Sequence, residues 1–89
     1  MPKLIPSQQF IKDLEKFKSD EAMRKKIAKS LAFLEINPFH PGLNLERIVN
    51  DSSAWSARVD RRYRVSFEPE IYLPSGNPDW SGSVFLLRI

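Results

Sequence analysis

This 89-residue chain contains no cysteine and a single histidine, His40. It therefore offers no disulfide, no thiolate metal site and no cysteine nucleophile, and we expect it to use neither a metal nor a cofactor. Its apolar runs, such as residues 84–87, fall far short of the roughly 18–20 residues that span a bilayer. The N-terminal residues lack the charged start and apolar block of a signal peptide. We therefore expect a soluble, cytoplasmic protein with no membrane partner.

Charge is present in modest excess and is unevenly distributed. Fourteen Lys and Arg residues against eleven Asp and Glu residues give a formal net charge of +3, which is not a polybasic composition. The basic residues concentrate in two clusters, one of Arg24, Lys25, Lys26 and Lys29, the other of Arg58, Arg61, Arg62 and Arg64. Both clusters are compatible with a nucleic-acid or acidic-protein partner. The first cluster is more typical of a solvated helix face than of a dedicated binding surface.

Residues 55–68 predict two paired strands, because apolar and polar residues alternate with the period of a half-buried strand. Pairing Val59 with Tyr63 leaves residues 60–62 as a three-residue turn. A slip of one residue would turn every apolar side chain outward, so the pattern fixes the register. The apolar positions of the two strands are Trp55, Ala57, Val59, Tyr63, Val65 and Phe67.

The same register places Arg58 opposite Arg64. Like charges directly opposed across a sheet are destabilising, so the pair indicates a site for an anion, most naturally a phosphate held by forked guanidinium groups. Alternatively, both arginines point into water or pair with Glu68, Asp60 or a more distant acid. The strand pattern alone leaves both interpretations open.

Apolar residues at helical spacing predict two helices ahead of this hairpin. The first covers residues 7–17, is capped by Ser7 and turns Asp13 outward with its other charged residues. The second covers residues 20–36 and carries the first basic cluster. The inward stripe of the first helix is Phe10, Ile11, Leu14 and Phe17.

Three further strands are predicted at residues 3–5, 43–49 and 83–89, and the last is apolar enough to be covered on both faces. A polar turn at residues 50–53 joins the second of these strands to the hairpin. The order β-α-α-β-β-β-β predicts a single α+β domain, with an N-terminal helical hairpin packed on one face of a small antiparallel sheet.

The NPFHPGL turn of residues 37–43, followed by the WSARVDRRYRV hairpin of residues 55–65, resembles the RelE/ParE toxin superfamily, and the resemblance extends over essentially the whole chain. It implies a RelE/ParE-like fold and a toxin that a cognate antitoxin neutralises, as in plasmid-stabilisation systems. RelE-like members are mRNA interferases that cut mRNA in the ribosomal A site without a metal. ParE-like members instead poison DNA gyrase and are not nucleases.

The resemblance also assigns residues. Arg64 matches the arginine that RelE-like nucleases place on the scissile phosphate, and Arg58 matches a basic position on the preceding strand; both are the expected catalytic residues. Arg47 roughly matches another basic position. The expected RNA- or phosphate-binding residues are Arg47, Arg61, Arg62 and Arg88. Near the hairpin, the side chains able to carry a proton are Glu46, Glu68 and His40.

Relatives of RelE type usually continue past the last strand with a segment that carries a histidine and a tyrosine. The resemblance therefore implies that residues 1–89 form one toxin domain without its C-terminal catalytic segment. We expect such a chain to cleave mRNA weakly or not at all. The alternative is a non-nuclease binding protein of the same superfamily, either a ParE-like gyrase inhibitor or an inert relative that still binds its antitoxin.

Overall fold

The computed structural model describes residues 3–48 and 54–89. Their elements follow the predicted order. They are β1 (Lys3–Pro6), α1 (Gln8–Glu15), α2 (Glu21–Ile36), a 3₁₀ turn (Pro41–Leu43), β2 (Glu46–Arg47), β3 (Trp55–Arg58), β4 (Arg64–Pro69) and β5 (Ser83–Arg88). The predicted polar turn at residues 50–53, and Val49 at the end of a predicted strand, lie outside the described residues.

The strands form one sheet in the order β1-β5-β4-β3-β2. All neighbours pair antiparallel except β1 and β5, which are parallel, so the sheet is mixed where the sequence predicted an antiparallel one. A parallel pair needs a long connection between its strands, and here most of the chain lies between them. Ser7 strengthens this contact, since its N–H donates to the Leu86 carbonyl at 2.9 Å and its hydroxyl to the Leu87 carbonyl at 3.0 Å.

The hairpin has the predicted register. Trp55 pairs with Phe67, Ala57 with Val65 and Arg58 with Arg64. At the turn, the Val59 N–H donates to the Tyr63 carbonyl at 3.0 Å. The Asp60 carboxylate accepts the backbone N–H groups of Arg62, at 2.8 Å, and Tyr63, at 2.9 Å. This side-chain cap closes the turn at residues 60–62.

Both helices begin where a side chain can cap them. The Ser7 hydroxyl accepts the Phe10 N–H at 3.0 Å, and the Asp20 carboxylate accepts the Met23 N–H at 3.0 Å. The helices and one face of the sheet enclose the core, which confirms the α+β arrangement. The buried residues of that core are Phe10, Leu34, Leu43, Ala57, Val65, Phe67, Val84 and Leu86.

The prediction that Asp13 faces outward is wrong, because its side chain is only 3% exposed. Its Oδ2 accepts the Ile89 N–H at 3.1 Å and the Arg88 Nε–H at 3.4 Å, while its Oδ1 accepts from the Gln9 amide at 2.9 Å. Burial alone would raise the pKa of Asp13, but these hydrogen bonds from Gln9, Ile89 and Arg88 lower it below 3.8. The carboxylate thus fastens α1 to the end of β5.

Because α1 turns Asp13 toward the core, two of its apolar residues face outward. Ile11 and Leu14, predicted to face inward, are 46% and 36% exposed. Periodicity predicts which face of a helix is apolar, but it does not show that donors at the end of β5 need a buried acceptor. The Asp13 carboxylate is that acceptor. Of the predicted stripe, Phe10 is the residue that enters the core.

Two strands are shorter or less covered than predicted. β2 contains only Glu46–Arg47, because Leu43 belongs to the 3₁₀ turn and Asn44 takes a left-handed conformation at φ 45°, which interrupts an extended strand. In β5, Val84 and Leu86 are buried but the alternate residues Phe85 and Leu87 are half-buried. The strand is therefore fully covered on the helix face alone.

Candidate phosphate-binding site

Arg64 begins β4 and reaches across β3 toward β2. Its Nε–H donates to the Ser56 hydroxyl at 2.9 Å, and its Nη2 donates to the Asn44 carbonyl at 2.6 Å and the Ser56 carbonyl at 3.3 Å. The next residue, Val65, is buried against the helices, so the alternation of the strand puts Arg64 on the opposite, open face of the sheet. The protein therefore holds this guanidinium in one orientation.

Local backbone geometry supplies one of these acceptors. Asn44 ends the 3₁₀ turn in a left-handed conformation, which asparagine tolerates better than most residues do. Ser56 supplies the other two acceptors from the centre of β3, and it is itself largely buried. Both residues bond the edge of the guanidinium formed by Nε and Nη2. Nη1 has no partner in residues 3–48 and 54–89, so it can donate to a bound anion.

Glu46 lies beside this guanidinium, with its Oε2 3.8 Å from Arg64 Nη2. It is the register partner of Ser56, which brings β2 within reach of Arg64. The Glu46 side chain is 67% exposed, and an exposed ion pair of this kind contributes little to stability. A solvated carboxylate next to an anchored cation is, however, a suitable base beside a phosphate.

Arg58 and Arg47 do not join this arrangement within the described residues. Arg58 is the register partner of Arg64, so its side chain leaves the sheet on the same face, but no hydrogen bond or ion pair joins it to Glu46 or Arg64 in residues 3–48 and 54–89. The residue also borders a cavity of about 260 Å³ together with Lys26 and Lys29 of α2. Arg47 lies over the Trp55 ring, with its guanidinium carbon 5.6 Å from the ring centroid. Adjacent residues of a strand point to opposite faces, so Arg47 and Glu46 diverge.

The other predicted phosphate-binding arginines lie elsewhere. Arg61 and Arg62 line a cavity of about 490 Å³ at the hairpin turn. Arg88 donates to Asp13 of α1, in the direction opposite to the one that Arg64 takes across the sheet. Arg64 is thus the only one of the six predicted site arginines that the described residues place beside Glu46.

The remaining proton carriers named from the sequence have other surroundings. His40 stacks on Phe33 with ring centroids 4.0 Å apart, and its Nδ1 accepts the Gly42 N–H at 3.0 Å, which is a structural role. Glu68 pairs with Phe85 in the sheet. Across residues 3–48 and 54–89, no three His, Asp or Glu side chains group as a metal site would require, and no helix has the length and apolarity to cross a membrane.

Asn44 and Ser56 were missed as parts of the site, and Glu46 was named only as a possible proton carrier. A backbone acceptor such as the Asn44 carbonyl leaves no trace in the sequence. Ser56 alternates with the apolar positions of the predicted hairpin and so falls on the same strand face as Arg58 and Arg64, which would have allowed a cross-strand bond to Arg64 to be predicted. Glu46 could be placed only once the pairing of β2 with β3 was known.

No family model and no curated protein matches the sequence, but solved structures match the fold. A chain of the heterotetrameric YoeB–YefM toxin–antitoxin complex from Staphylococcus aureus aligns with a TM-score of 0.70 and 18% identity, over 99% of this chain and 93% of that one. The YoeB/ParE toxin from Agrobacterium tumefaciens aligns with a TM-score of 0.74 and 17% identity, over 97% and 93%. The chain has the fold of the YoeB and ParE toxins.

A third match, the YoeB dimer from Staphylococcus aureus, has a TM-score of 0.67 and 17% identity over 98% of this chain and 92% of that one. The fold predicted from the NPFHPGL turn and the central hairpin is therefore confirmed. In this YoeB-like fold, the two helices cover one face of the sheet, and Arg64 lies on the other.

Proposed function

We propose that this chain is the toxin of a toxin–antitoxin pair and that it acts as a RelE-like, ribosome-dependent mRNA endonuclease. The observation that supports the proposal best is the pairing of Arg64 with Glu46 on the open sheet face of a YoeB-like fold. Arg64 is anchored by three hydrogen bonds and keeps one corner open. Glu46 lies next to it as a solvated carboxylate.

RNA cleavage by internal attack requires removal of a proton from the 2′-hydroxyl, stabilisation of the charge on the phosphoryl oxygens, and protonation of the leaving oxygen. Glu46 and Arg64 suit the first two of these tasks. Glu46 removes the proton of the ribose 2′-hydroxyl, whose oxygen then bonds to the adjacent phosphorus. The Arg64 guanidinium stabilises the negative charge that develops on the phosphoryl oxygens. The bond from phosphorus to the 5′-oxygen breaks, which leaves a 2′,3′-cyclic phosphate and a 5′-oxygen that must take up a proton.

In this proposal, a water molecule protonates the leaving 5′-oxygen. The recorded contacts of Arg64 within the described residues are with Ser56, Asn44 and Glu46, and none of these is an acid suited to protonate the leaving oxygen. Lacking one general acid typically costs about 10²–10⁴-fold in rate. We therefore propose slow cleavage, with mRNA positioned by the ribosome.

A cognate antitoxin is the proposed protein partner, since two of the structural matches are YoeB–YefM toxin–antitoxin complexes. The second candidate function is a non-nuclease of ParE type that inhibits DNA gyrase. It is favoured by the contacts of one edge of the Arg64 guanidinium, because Nε and Nη2 already donate to the protein and only Nη1 is left to bind a phosphate among the described contacts.

Primer extension on translating ribosomes separates the two candidates. The wild-type chain should produce weak, A-site-specific mRNA ends, and these should disappear with Arg64→Gln and with Glu46→Gln. Lys12→Gln, on the exposed side of α1, is the control and should cleave like the wild type. A supercoiling assay with DNA gyrase should show no inhibition. Inhibition of gyrase together with intact mRNA would reverse the assignment.

A further inference from the structure

The 3₁₀ turn carries the Asn44 carbonyl that accepts from Arg64 Nη2 at 2.6 Å, and His40 caps this turn. The His40 carbonyl accepts the Leu43 N–H at 3.0 Å, and Leu43 is fully buried in the core. Asn44 follows directly, and its own N–H donates back into the turn, to the Pro41 carbonyl at 3.3 Å. The place of the Asn44 carbonyl therefore depends on the shape of the turn.

Two contacts hold the His40 ring in one orientation. The ring stacks on Phe33 of α2, with centroids 4.0 Å apart and an angle of 13° between the two planes. Its Nδ1 accepts the Gly42 N–H at 3.0 Å. A ring nitrogen that accepts a hydrogen bond carries no proton, so the proton of the neutral ring is on Nε2. The bond to Gly42 therefore exists only while Nδ1 is unprotonated.

The backbone of the turn packs closely against this ring at Gly42. A Cβ atom on Gly42 would lie 3.2 Å from His40 Nδ1 and 3.3 Å from His40 Cε1, closer than ordinary van der Waals contact. The ring and the turn are thus in direct contact, and a shift of one displaces the other. Gly42 is two residues from Asn44, less than one turn of a 3₁₀ helix, so such a displacement reaches the Asn44 carbonyl.

The surroundings of the ring offer no acid to a protonated Nδ1. On α2, Lys29 Nζ lies 5.7 Å from the centroid of the Phe33 ring, on which His40 stacks. The charged residues that border the neighbouring cavity of about 260 Å³ are Lys26, Lys29, Arg58 and Asp60. Asp60 is engaged by Lys26, with its Oδ2 3.6 Å from Nζ. Within residues 3–48 and 54–89, no carboxylate is recorded in contact with His40.

We propose that His40 is a positioning residue for Arg64 and that protonation of His40 at Nδ1 releases the guanidinium from the turn. The added proton makes Nδ1 a donor that faces the Gly42 N–H, so the cap breaks and the Asn44 carbonyl moves away from Nη2. Arg64 keeps its bonds to Ser56 but loses its third anchor. Histidine side chains change charge between about pH 5 and pH 8, so the hold is present at the upper end of that range and is lost toward its lower end. The inference concerns regulation of the proposed phosphate site and rests on the proposed function for its consequence.

Two substitutions of His40 separate its acceptor from its ring. His40→Phe keeps a ring that can stack on Phe33 and removes the acceptor. His40→Asn removes the ring but keeps an acceptor that does not titrate, because an asparagine side chain can accept the N–H two residues further on. At about pH 8, we expect Arg64 to be held in the wild type and in His40→Asn, and to be released in His40→Phe.

The experiment measures, by NMR, how fast the Arg64 Nε–H exchanges with water in the free protein. This N–H donates to the Ser56 hydroxyl at 2.9 Å, and Arg64→Gln identifies its signal by deleting it. Each rate is divided by that of His40→Asn at the same pH, so that the intrinsic pH dependence of exchange cancels. The ratio should be about one for the wild type at about pH 8 and should rise roughly 2–10-fold toward pH 5, the effect of one lost hydrogen bond. In His40→Phe it should be raised throughout.

The Ser7 N–H, bonded to the Leu86 carbonyl at 2.9 Å, is the internal control and should exchange equally in all variants, which excludes a general loosening of the fold. A wild-type ratio that stays at one on acidification would overturn the proposal, as would equal exchange in His40→Phe and His40→Asn at the upper pH. If His40→Phe does not fold in a urea unfolding test, the pH series of the wild type against His40→Asn decides alone. The measurement uses no RNA, so a pH-dependent release of Arg64 without mRNA cleavage would contradict the proposed function alone, and cleavage without that release would contradict this inference alone.

Discussion

Replacing Asp13 with asparagine tests the buried carboxylate that fastens α1 to the end of β5. Asparagine has nearly the same shape as aspartate but carries a donor in place of one acceptor oxygen. Oδ2 of Asp13 faces the N–H of Ile89 and the Nε–H of Arg88, and Oδ1 faces the amide of Gln9. If the new amide nitrogen takes the place of Oδ2, it faces the donors of Ile89 and Arg88. In the other orientation it faces Gln9, whose own amide must turn over to present its oxygen.

The expected cost follows from those contacts. A buried donor left without an acceptor costs about 1–3 kcal/mol. The lost ion pairs with Arg88 and Lys16 add little, because those side chains are 62% and 68% exposed and exposed pairs contribute about 0–1 kcal/mol. We expect Asp13→Asn to lower the free energy of unfolding by about 2 kcal/mol, which corresponds to roughly 8–16 °C in Tm for a domain of this size.

Urea unfolding at pH 7 measures this free energy directly. Glu15→Gln is the matched control, because Glu15 lies on the exposed side of the same helix, and such a surface change should stay within about 0.5 kcal/mol. If Asp13→Asn also stays within that range, the carboxylate does not carry the contact between α1 and β5, and the reasoning about the buried face of α1 is refuted.

The contribution of Asp13 to the free energy of unfolding should also depend on pH. Hydrogen bonds hold the pKa of Asp13 below its ordinary value of 3.8, so in acid the unfolded chain takes up this proton before the folded chain does. The stabilisation is complete well above pH 3.8 and is lost as the pH falls through the folded-state pKa. The difference in unfolding free energy between wild type and Asp13→Asn should therefore narrow as the pH falls below 3.8. The pKa values of Asp60 and Asp79 are also lowered, so both proteins lose some stability there.

Two further substitutions probe the hairpin and the site. Trp55→Ala should lower the free energy of unfolding by about 3 kcal/mol, since the rings of Trp55 and Trp80 pack with centroids 5.6 Å apart. Trp55→Phe should lower it less, because the buried Trp55 Nε1 has no hydrogen-bond partner to lose. Equal losses for the two variants in urea unfolding would contradict this packing. Asn44→Val should lower the free energy of unfolding by about 1–2 kcal/mol, because a β-branched residue strains the left-handed conformation at φ 45°. Asn44→Gly should leave it nearly unchanged in the same measurement. If Asn44→Val also leaves it unchanged, the turn is not left-handed.

The parts of the fold that were predictable are those that local periodicity determines. The hairpin register followed from the alternation in residues 55–68, because a one-residue slip reverses both faces. The cap at Ser7 followed from residue type. The parallel pairing of β1 with β5 did not, because it joins the two ends of the chain and no local pattern records it. The burial of Asp13 was missed for the same reason, since its donors come from β5.

The candidate site divides in the same way. The position of Arg64 opposite Arg58 was predictable from the register, whereas the direction of its guanidinium depends on Asn44 and Ser56. The Asn44 carbonyl reaches Arg64 only after the 3₁₀ turn has placed it. The acid that lies within 3.8 Å of Arg64 Nη2 is Glu46, which the hairpin pattern alone could not identify.

Single-turnover cleavage of labelled mRNA on programmed ribosomes tests the assignment of Glu46 and Arg64 most directly, because it detects slow rates. Glu46→Gln preserves the shape of the side chain and removes its basicity together with its charge beside Arg64, so the rate should fall by about 10²–10⁴-fold. Glu68→Gln, on strand β4, should cleave at the wild-type rate. Cleavage by Glu46→Gln at the wild-type rate would contradict the role of Glu46 as the base beside Arg64.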